Sequence, residues 1–500
     1  MKQVKILLID PPFYRFMGIE NRYFPIGLGY IAASLRDQGH EVRIYSADTS
    51  KLVKAPAYNR MHEHYKVYIR LVKDISHPVW QEILALLKDF QPKVVGITAM
   101  TPKIASVLQT ASLCKDYDDH LRLIVGGPHA TIKPDELLQY KELDFVIRGE
   151  GEVSILSLIQ ALQKDDPKLL SEIGGLSYRK NGEVFHNPPG GFLENLDARP
   201  FPARELLLQA EKFSPEDLAI IMTSRGCPFS CTFCFKEMFG KKVRYRSVAD
   251  VIEEIKYVIQ RYNAKQFAFK DDSFTLNKRR VIELCDSLTA ERIKISWECT
   301  TRVDLIDEEL LKKMMAAGCN TIKVGVESGS ENILRLIKKA ISLEQIRGAS
   351  KLFNKQGIFW AAFFMMGLPN ETEEDMYKTL KFMKELQPDY ASMGVYEAYP
   401  GTELFEMGIE LGLLNPSMHP SQYFERPPDE YYFKDPYRRV NTIEPARFEI
   451  LCGELLKEFD NYNKGIKKLL KMAISRRKMY LNDPKSFIRD LRRALKWISL

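Results

Sequence analysis

Five hundred residues, 45% hydrophobic and 28% charged, describe a globular chain of two to four domains with an ample core, and exclude a disordered or fibrous one. No apolar stretch reaches the length of a spanning helix, the N-terminus lacks a signal-peptide apolar core, and the eight cysteines do not space out as a secreted disulfide framework. The net charge of +7 belongs to the tail: from Lys464 to Leu500 twelve Lys and Arg face only Asp483 and Asp490, which leaves the rest at about −3.

Residues 1–160 alternate strand and helix signals. Strands are predicted at 4–9, 41–46, 94–98, 121–125 and 145–147, with helices such as 28–38 and 104–114 between them. Apolar runs of this length joined by helical crossovers predict a parallel, doubly wound, Rossmann-like sheet, with ligands beyond the carboxyl ends of its strands. The loops there carry Pro11, Thr101, Gly126-Gly127-Pro128-His129 and Gly149-Glu150-Gly151-Glu152. Residues 161–212 include Asn187-Pro188-Pro189-Gly190-Gly191 and read as a linker. From 213 to 435 six strand–helix units are expected, with strands at 219–223, 266–269, 295–299, 321–326, 359–365 and 392–396. They predict a partial (βα)6 barrel with its reactive groups at the carboxyl face. Residues 436–500 read as a helical, basic C-terminal region.

The second unit opens on Cys227-Pro228-Phe229-Ser230-Cys231-Thr232-Phe233-Cys234. Three thiolates are one short of a saturated zinc or simple iron–sulfur site, and a 4Fe–4S cluster held by three keeps one iron open. Composition alone would give this spacing in about two chains per thousand. A zinc site completed by Cys285, Cys299 or Cys319 is the competing reading.

The Cys-x3-Cys-x-aromatic-Cys motif resembles that of the radical S-adenosylmethionine (SAM) superfamily. So do, in order, the strand ends at Phe269–Phe274, Trp297–Arg302, Gly325–Ser330, Phe363–Pro369 and Tyr399–Thr402. Residues 25–32, 39–42, 126–131 and 149–152 are similar to the cobalamin-binding domain of cobalamin-dependent radical SAM enzymes, and the resemblance spans residues 1 to about 435. It implies a 4Fe–4S cluster on Cys227, Cys231 and Cys234, with SAM contacts from Phe233, Asp271 or Asp272, Arg302, Glu327, Ser328 and Met366. Asp271 or Asp272 can equally serve as a helix N-cap, and Arg302 can pair with SAM or with a protein carboxylate. Cobalamin contacts would come from Pro11, Thr101, Gly126, Gly127, His129, Gly149, Glu150, Gly151 and Glu152, the two glutamates as acceptors for hydroxyl or amide groups. The D-x-H-x-x-G motif that supplies a cobalt ligand is missing, because Leu123 stands where Asp118 and His120 require glycine. The lower face of cobalt is therefore expected to lack histidine and to meet the 100–102 loop. His129 is expected to pack or hydrogen-bond near the nucleotide tail.

The resemblance implies C-methylation of an unactivated carbon, with a reductase or flavodoxin-type electron donor. Radical cyclisation or oxidation without methyl transfer, and a methylthiotransferase-like RNA modification, are the alternatives. No catalytic side chain is singled out. In the tail, Ile466, Leu469, Leu470, Ala473 and Ile474 recur at helical spacing, as do Phe487, Ile488, Leu491, Ala494, Leu495 and Ile498 opposite Arg489, Arg492, Arg493 and Lys496. This reads either as a helix packed on the barrel or as a peripheral anchor on anionic lipid, the latter implying a lipid or isoprenoid in place of another small-molecule substrate. Nucleic acid is the weakest partner, since no aromatic-interleaved basic groove is visible. The expected compartment is the cytoplasm, with peripheral membrane contact if the tail anchors.

Overall fold

The computed structural model describes residues 2–19, 23–49, 61–164, 166–475 and 477–482, with positions 484, 487, 488 and 491 beyond them. The first sheet contains β1 (Lys5–Asp10), β2 (Glu41–Ser46), β3 (Val94–Thr98), β4 (Arg122–Gly126), β5 (Phe145–Ile147), β6 (Leu176–Lys180) and β7 (Glu183–His186), in the order β2-β1-β3-β4-β5-β6-β7. β1 to β5 pair in parallel. After the exposed Lys5, every residue of β1 is buried, as a strand covered by helices on both faces must be. Helices Ile26–Asp37 and Gly151–Lys164 cover one face around Leu8, Leu28 and Leu158. Helices Met61–Val72, Pro78–Phe90 and Ile104–Tyr117 cover the other around Leu7, Trp80 and Val107, and that core runs on without a break into the second unit.

The linker expectation for 161–212 needs correction. β6 and β7 pair antiparallel and extend the first sheet. Their turn is Asn181-Gly182, with φ of 54° and 84°, the left-handed pair that a tight hairpin demands. Gly174 and Gly190 then let two segments touch, since a Cβ on Gly174 would lie 2.7 Å from the Gly190 Cα.

The second sheet is wholly parallel and follows chain order: β8 (Ile220–Ile221), β11 (Gln266–Phe269), β12 (Ser296–Thr301), β13 (Cys319–Glu327), β14 (Phe359–Met366) and β15 (Tyr390–Val395). Six strands with intervening helices make the partial barrel that the sequence predicts. A short antiparallel ribbon, β9 (Ser224–Arg225) with β10 (Arg244–Tyr245), brackets the cysteine loop. Helix Pro445–Asn463 covers the edge strand β15. There the Asn463 amide accepts from the Ala391 N–H (2.9 Å) and donates to the Ala391 carbonyl (2.7 Å), so one side chain closes an open sheet edge.

The first tail pattern forms helix Ile466–Ser475, with Leu470 60% and Ile474 59% exposed. Ala494, Leu495, Ile498, Arg489, Arg492, Arg493 and Lys496 lie outside the described residues. Among the described residues no helix is long and apolar enough to cross a membrane.

Candidate functional site

The cysteine loop leaves β9 through Gly226, whose φ is +98° and whose Cβ would meet the Lys242 carbonyl at 2.5 Å, so only glycine serves there. Cys227 N–H donates to the Gly240 carbonyl (3.2 Å), Thr232 N–H to Ile337 (3.0 Å) and Cys234 N–H to Cys231 (3.3 Å). Burial pushes the Cys234 thiol up to about 11, and the two neighbouring thiols push it the same way. Cys227 is raised by burial and by Asp272. Two thiols of the loop that resist ionising, with a third beside them, are a donor set suited to a cationic centre. Among the described residues no three Cys, His, Asp or Glu side chains already converge as around a single metal ion. Cys285, Cys299 and Cys319 are buried in the core, where burial raises the pKa of Cys285 and Cys319, and none of the three acts on Cys227 or Cys234. A fourth zinc ligand from that group is thus not at hand.

The paired aspartates separate. Asp271 is buried and accepts from Thr223 N–H (2.7 Å), Thr223 hydroxyl (2.5 Å) and Ser224 hydroxyl (2.6 Å). It therefore fixes the base of the cysteine loop, while the cap of the following helix, Lys278–Ala290, is Asn277. Asp272 has its pKa raised by burial and by Asp271, with the Gly226 backbone acting the other way.

Beyond the loop the strand ends carry a cluster of charged side chains, of which the sequence leaves Lys270, Glu298, Lys323 and Lys339 unassigned. Glu298 and Lys323 pair at 2.5 Å across β12 and β13. Lys270 has its pKa lowered by burial and then by Lys323. Glu327, at the bulged end of β13 with φ +68°, takes a 2.7 Å bond from Lys339. Gly325 makes room for this pair, since its Cβ would fall 2.2 Å from Glu327 Oε1. Arg302 binds Asp304 through Nε and Nη2 at 3.0 and 3.1 Å and stacks 3.7 Å from the Phe229 ring centroid. Its Nη1 is buried without a hydrogen-bond partner. Phe233 is half-buried, with the Lys339 ammonium 5.8 Å from its ring. Ser328 spends its hydroxyl on Thr379 and Ser330, and Met366 is packed in the core, so neither presents a free contact. The signal for this charged cluster is the period-two alternation of Glu298/Thr300 and Lys323/Gly325, which puts charge on one strand face only.

A second cavity, of about 480 Å³, opens at the carboxyl ends of the first sheet. Its floor is Leu8, Gly96 and Ile124, its rim includes Met100, Gly126, Gly127, Gly149 and Gly151, and Met222, Arg225, Met238 and Phe239 of the second unit close it. Gly127 (φ +105°) lies so close to β3 that a Cβ would stand 2.9 Å from the Ala99 carbonyl. At Gly27 and Gly149 a Cβ would meet nothing within 4 Å, so the cavity space begins at the backbone itself.

Several residues expected around a ligand have protein partners instead. Glu150 holds Arg244 through both oxygens (2.7 and 2.9 Å) and Glu152 holds Arg225 (2.6 Å), because each arginine would otherwise be buried unpaired. Pro11 sits over a buried Lys103 that bridges Asp10 and Asp48 at 2.7 Å each, away from the cavity lining. Thr101 and His129 bond each other (3.1 Å), and the other His129 nitrogen faces the Tyr423 hydroxyl at 3.5 Å. Burial lowers the His129 pKa to about 3, so the ring is neutral and spoken for on both sides. Tyr423 and Tyr432 both donate to Glu136 (2.5 and 2.9 Å), tying the 416–433 segment to the first domain.

The Radical SAM superfamily model matches residues 221–383, and the B12 binding domain model matches residues 18–159. An uncharacterized methyltransferase of Pyrococcus horikoshii is 36% identical over 423 residues, covering 83% of this chain and 85% of its own. The chain belongs to the cobalamin-dependent radical SAM enzymes. The cofactors of this family are a 4Fe–4S cluster, SAM and cobalamin. The anaerobic magnesium-protoporphyrin IX monomethyl ester cyclase of Rubrivivax gelatinosus is 31% identical over 353 residues, 68% of this chain and 62% of its own. In fold, this radical SAM chain resembles the radical SAM methyltransferase TsrM of Kitasatospora setae, solved with cobalamin and a [4Fe-4S] cluster, at TM-score 0.64 and 16% identity over 83% of this chain and 76% of that one. The residues present suit the family's cofactors: a soft three-thiol loop, a charged cluster with the buried Arg302 Nη1 unpartnered, and a cavity whose walls are bare backbone at Gly27 and Gly149.

Proposed function

We propose that this enzyme methylates an unactivated carbon of a small-molecule substrate, with Cys227, Cys231 and Cys234 holding the cluster, the charged side chains at the ends of β11 to β13 holding SAM, and the glycine-walled cavity holding the nucleotide tail of cobalamin. The observation that carries this is the shared wall: Met222, Arg225, Met238 and Phe239, which flank the cysteine loop, also close the cavity of the first domain. The two cofactor sites therefore adjoin, as transfer between them requires. When bound, the cluster with SAM supplies hydrogen abstraction and cobalamin supplies a methyl group.

The chain's own groups bind and orient. Arg302, with Nη1 free and the guanidinium held flat by Asp304 and Phe229, is placed to take the SAM carboxylate. Asp272 offers an acceptor to the ammonium. Glu327, aimed by Lys339, offers one to the ribose. Met100 stands at the rim where the cobalt face is expected. A flavodoxin-type reductase is the proposed electron donor. Helix Ile466–Ser475, which leaves Leu470 and Ile474 exposed while Lys468 and Lys471 hold Pro388 and Asp389, supports a peripheral lipid contact through those two apolar side chains, and with it a lipid or isoprenoid substrate. The 31% identity to a cyclase favours cyclisation without methyl transfer as the second reading.

Anaerobic reconstitution with iron, sulfide, hydroxocobalamin and SAM, followed by mass spectrometry of a lipid extract, separates the readings. Release of 5′-deoxyadenosine together with a hydrogen-to-methyl mass gain is the expected outcome. SAM cleavage without a mass gain favours the second reading, and a loop that takes zinc and never cleaves SAM overturns both.

A further inference from the structure

Four buried charges join the two domains where the cavity meets the cysteine loop. Arg244 is held in a fork by Glu150, Arg225 by Glu152, and Arg225 Nη1 stands 3.4 Å from Glu150. All four side chains are at most 7% exposed, so water screens them little. The Arg225 guanidinium is also packed between the rings of Tyr30 (4.9 Å) and Phe239 (5.4 Å). Arg225, Glu150, Glu152, Tyr30 and Phe239 all line the 480 Å³ cavity. Two residues after Arg225 comes Cys227, and the intervening Gly226 (φ +98°) has no room for a side chain, since a Cβ there would stand 2.5 Å from the Lys242 carbonyl.

We propose that Arg225 is a positioning residue that ties the cysteine loop to the cavity, so that filling either site changes the affinity or the electronic state of the other. This rests on the assignment of the loop to the cluster and of the cavity to cobalamin. A ligand in the cavity would contact the Arg225 guanidinium, two positions before the first thiol, Cys227. Because such coupling is reciprocal, it can be read from either end.

The test titrates hydroxocobalamin by absorbance into cluster-free and cluster-loaded protein and records the electron paramagnetic resonance spectrum of the reduced cluster with and without it. In the wild type the two dissociation constants should differ by about tenfold, within the usual range of site coupling, and cobalamin should shift the cluster signal. Glu152→Gln and Arg225→Lys should bring the ratio to near one and abolish the shift. Glu152→Asp, which keeps the charge, should retain both. A wild-type ratio of one, or a ratio unchanged in Glu152→Gln and Arg225→Lys, overturns the tie while leaving the sites standing. A wild type that binds no cobalamin, or assembles no cluster, overturns the site assignments and the tie with them.

Discussion

Glu371 offers a test in which the magnitude can be worked out beforehand. It follows the Gly367-Leu368-Pro369 turn after β14, and its Oε2 accepts from the Gly367 and Leu368 N–H groups (2.7 and 3.0 Å), which closes the turn. Its Oε1 has no partner, and burial pushes the carboxyl up to about 8 from an ordinary 4.5. Between those two values the folded protein keeps a proton that the unfolded chain releases. The stabilisation is therefore complete below pH 4.5 and is lost, at about 1.4 kcal/mol per unit, as pH rises to 8. At pH 7 the loss amounts to roughly 3 kcal/mol. Glu371→Gln keeps the shape of the protonated acid and cannot ionise. Its stability relative to wild type should climb by roughly 2–3 kcal/mol between pH 5 and pH 7 and level off above 8. Urea unfolding of both proteins across that range, compared pairwise so that other titrating groups cancel, measures it. A difference that stays constant with pH would show that the carboxyl is already ionised at neutral pH.

Further outcomes follow from the same geometry. Cys231→Ala should remove cluster iron and reduce 5′-deoxyadenosine formation by on the order of a thousandfold, checked by iron analysis and product assay. Lys339→Met leaves Glu327 buried without its cation, so SAM affinity should fall about tenfold and the melting point should drop, measured by isothermal titration and calorimetry. Gly27→Ala adds a helix-favouring methyl to Ile26–Asp37 and at the same time fills cavity space. Apo stability should rise by about 0.5–1 kcal/mol while cobalamin binding weakens, a pair of opposite shifts that a purely structural glycine would not give. Leu470→Asp with Ile474→Asp should abolish co-sedimentation with anionic vesicles, and retained binding would leave the tail reading without support.

The parallel sheets were legible because buried strands must be apolar almost throughout, and β1 and β14 announce themselves that way. The hairpin of β6 and β7 was missed although Asn181-Gly182 is a strong turn signal, since the Pro- and Gly-rich stretch after it dominated the reading. The cysteine loop was visible as spacing. The partners of Glu150 and Glu152 were not, because Arg244 and Arg225 lie 94 and 73 residues further on and nothing local marks the pairing. Asp271 and Asp272 could not be told apart by type, and only the opposite sides on which neighbours emerge from an extended chain divide their tasks.

Tyr423 and Tyr432 reach back nearly three hundred residues to grip Glu136. The first domain thus receives one of its clasps only after nearly three hundred further residues have been translated. A polypeptide truncated ahead of Tyr423 would lose more than an appendage, because Glu136 would give up both phenolic donors and keep Lys133, 3.6 Å away, as its cation.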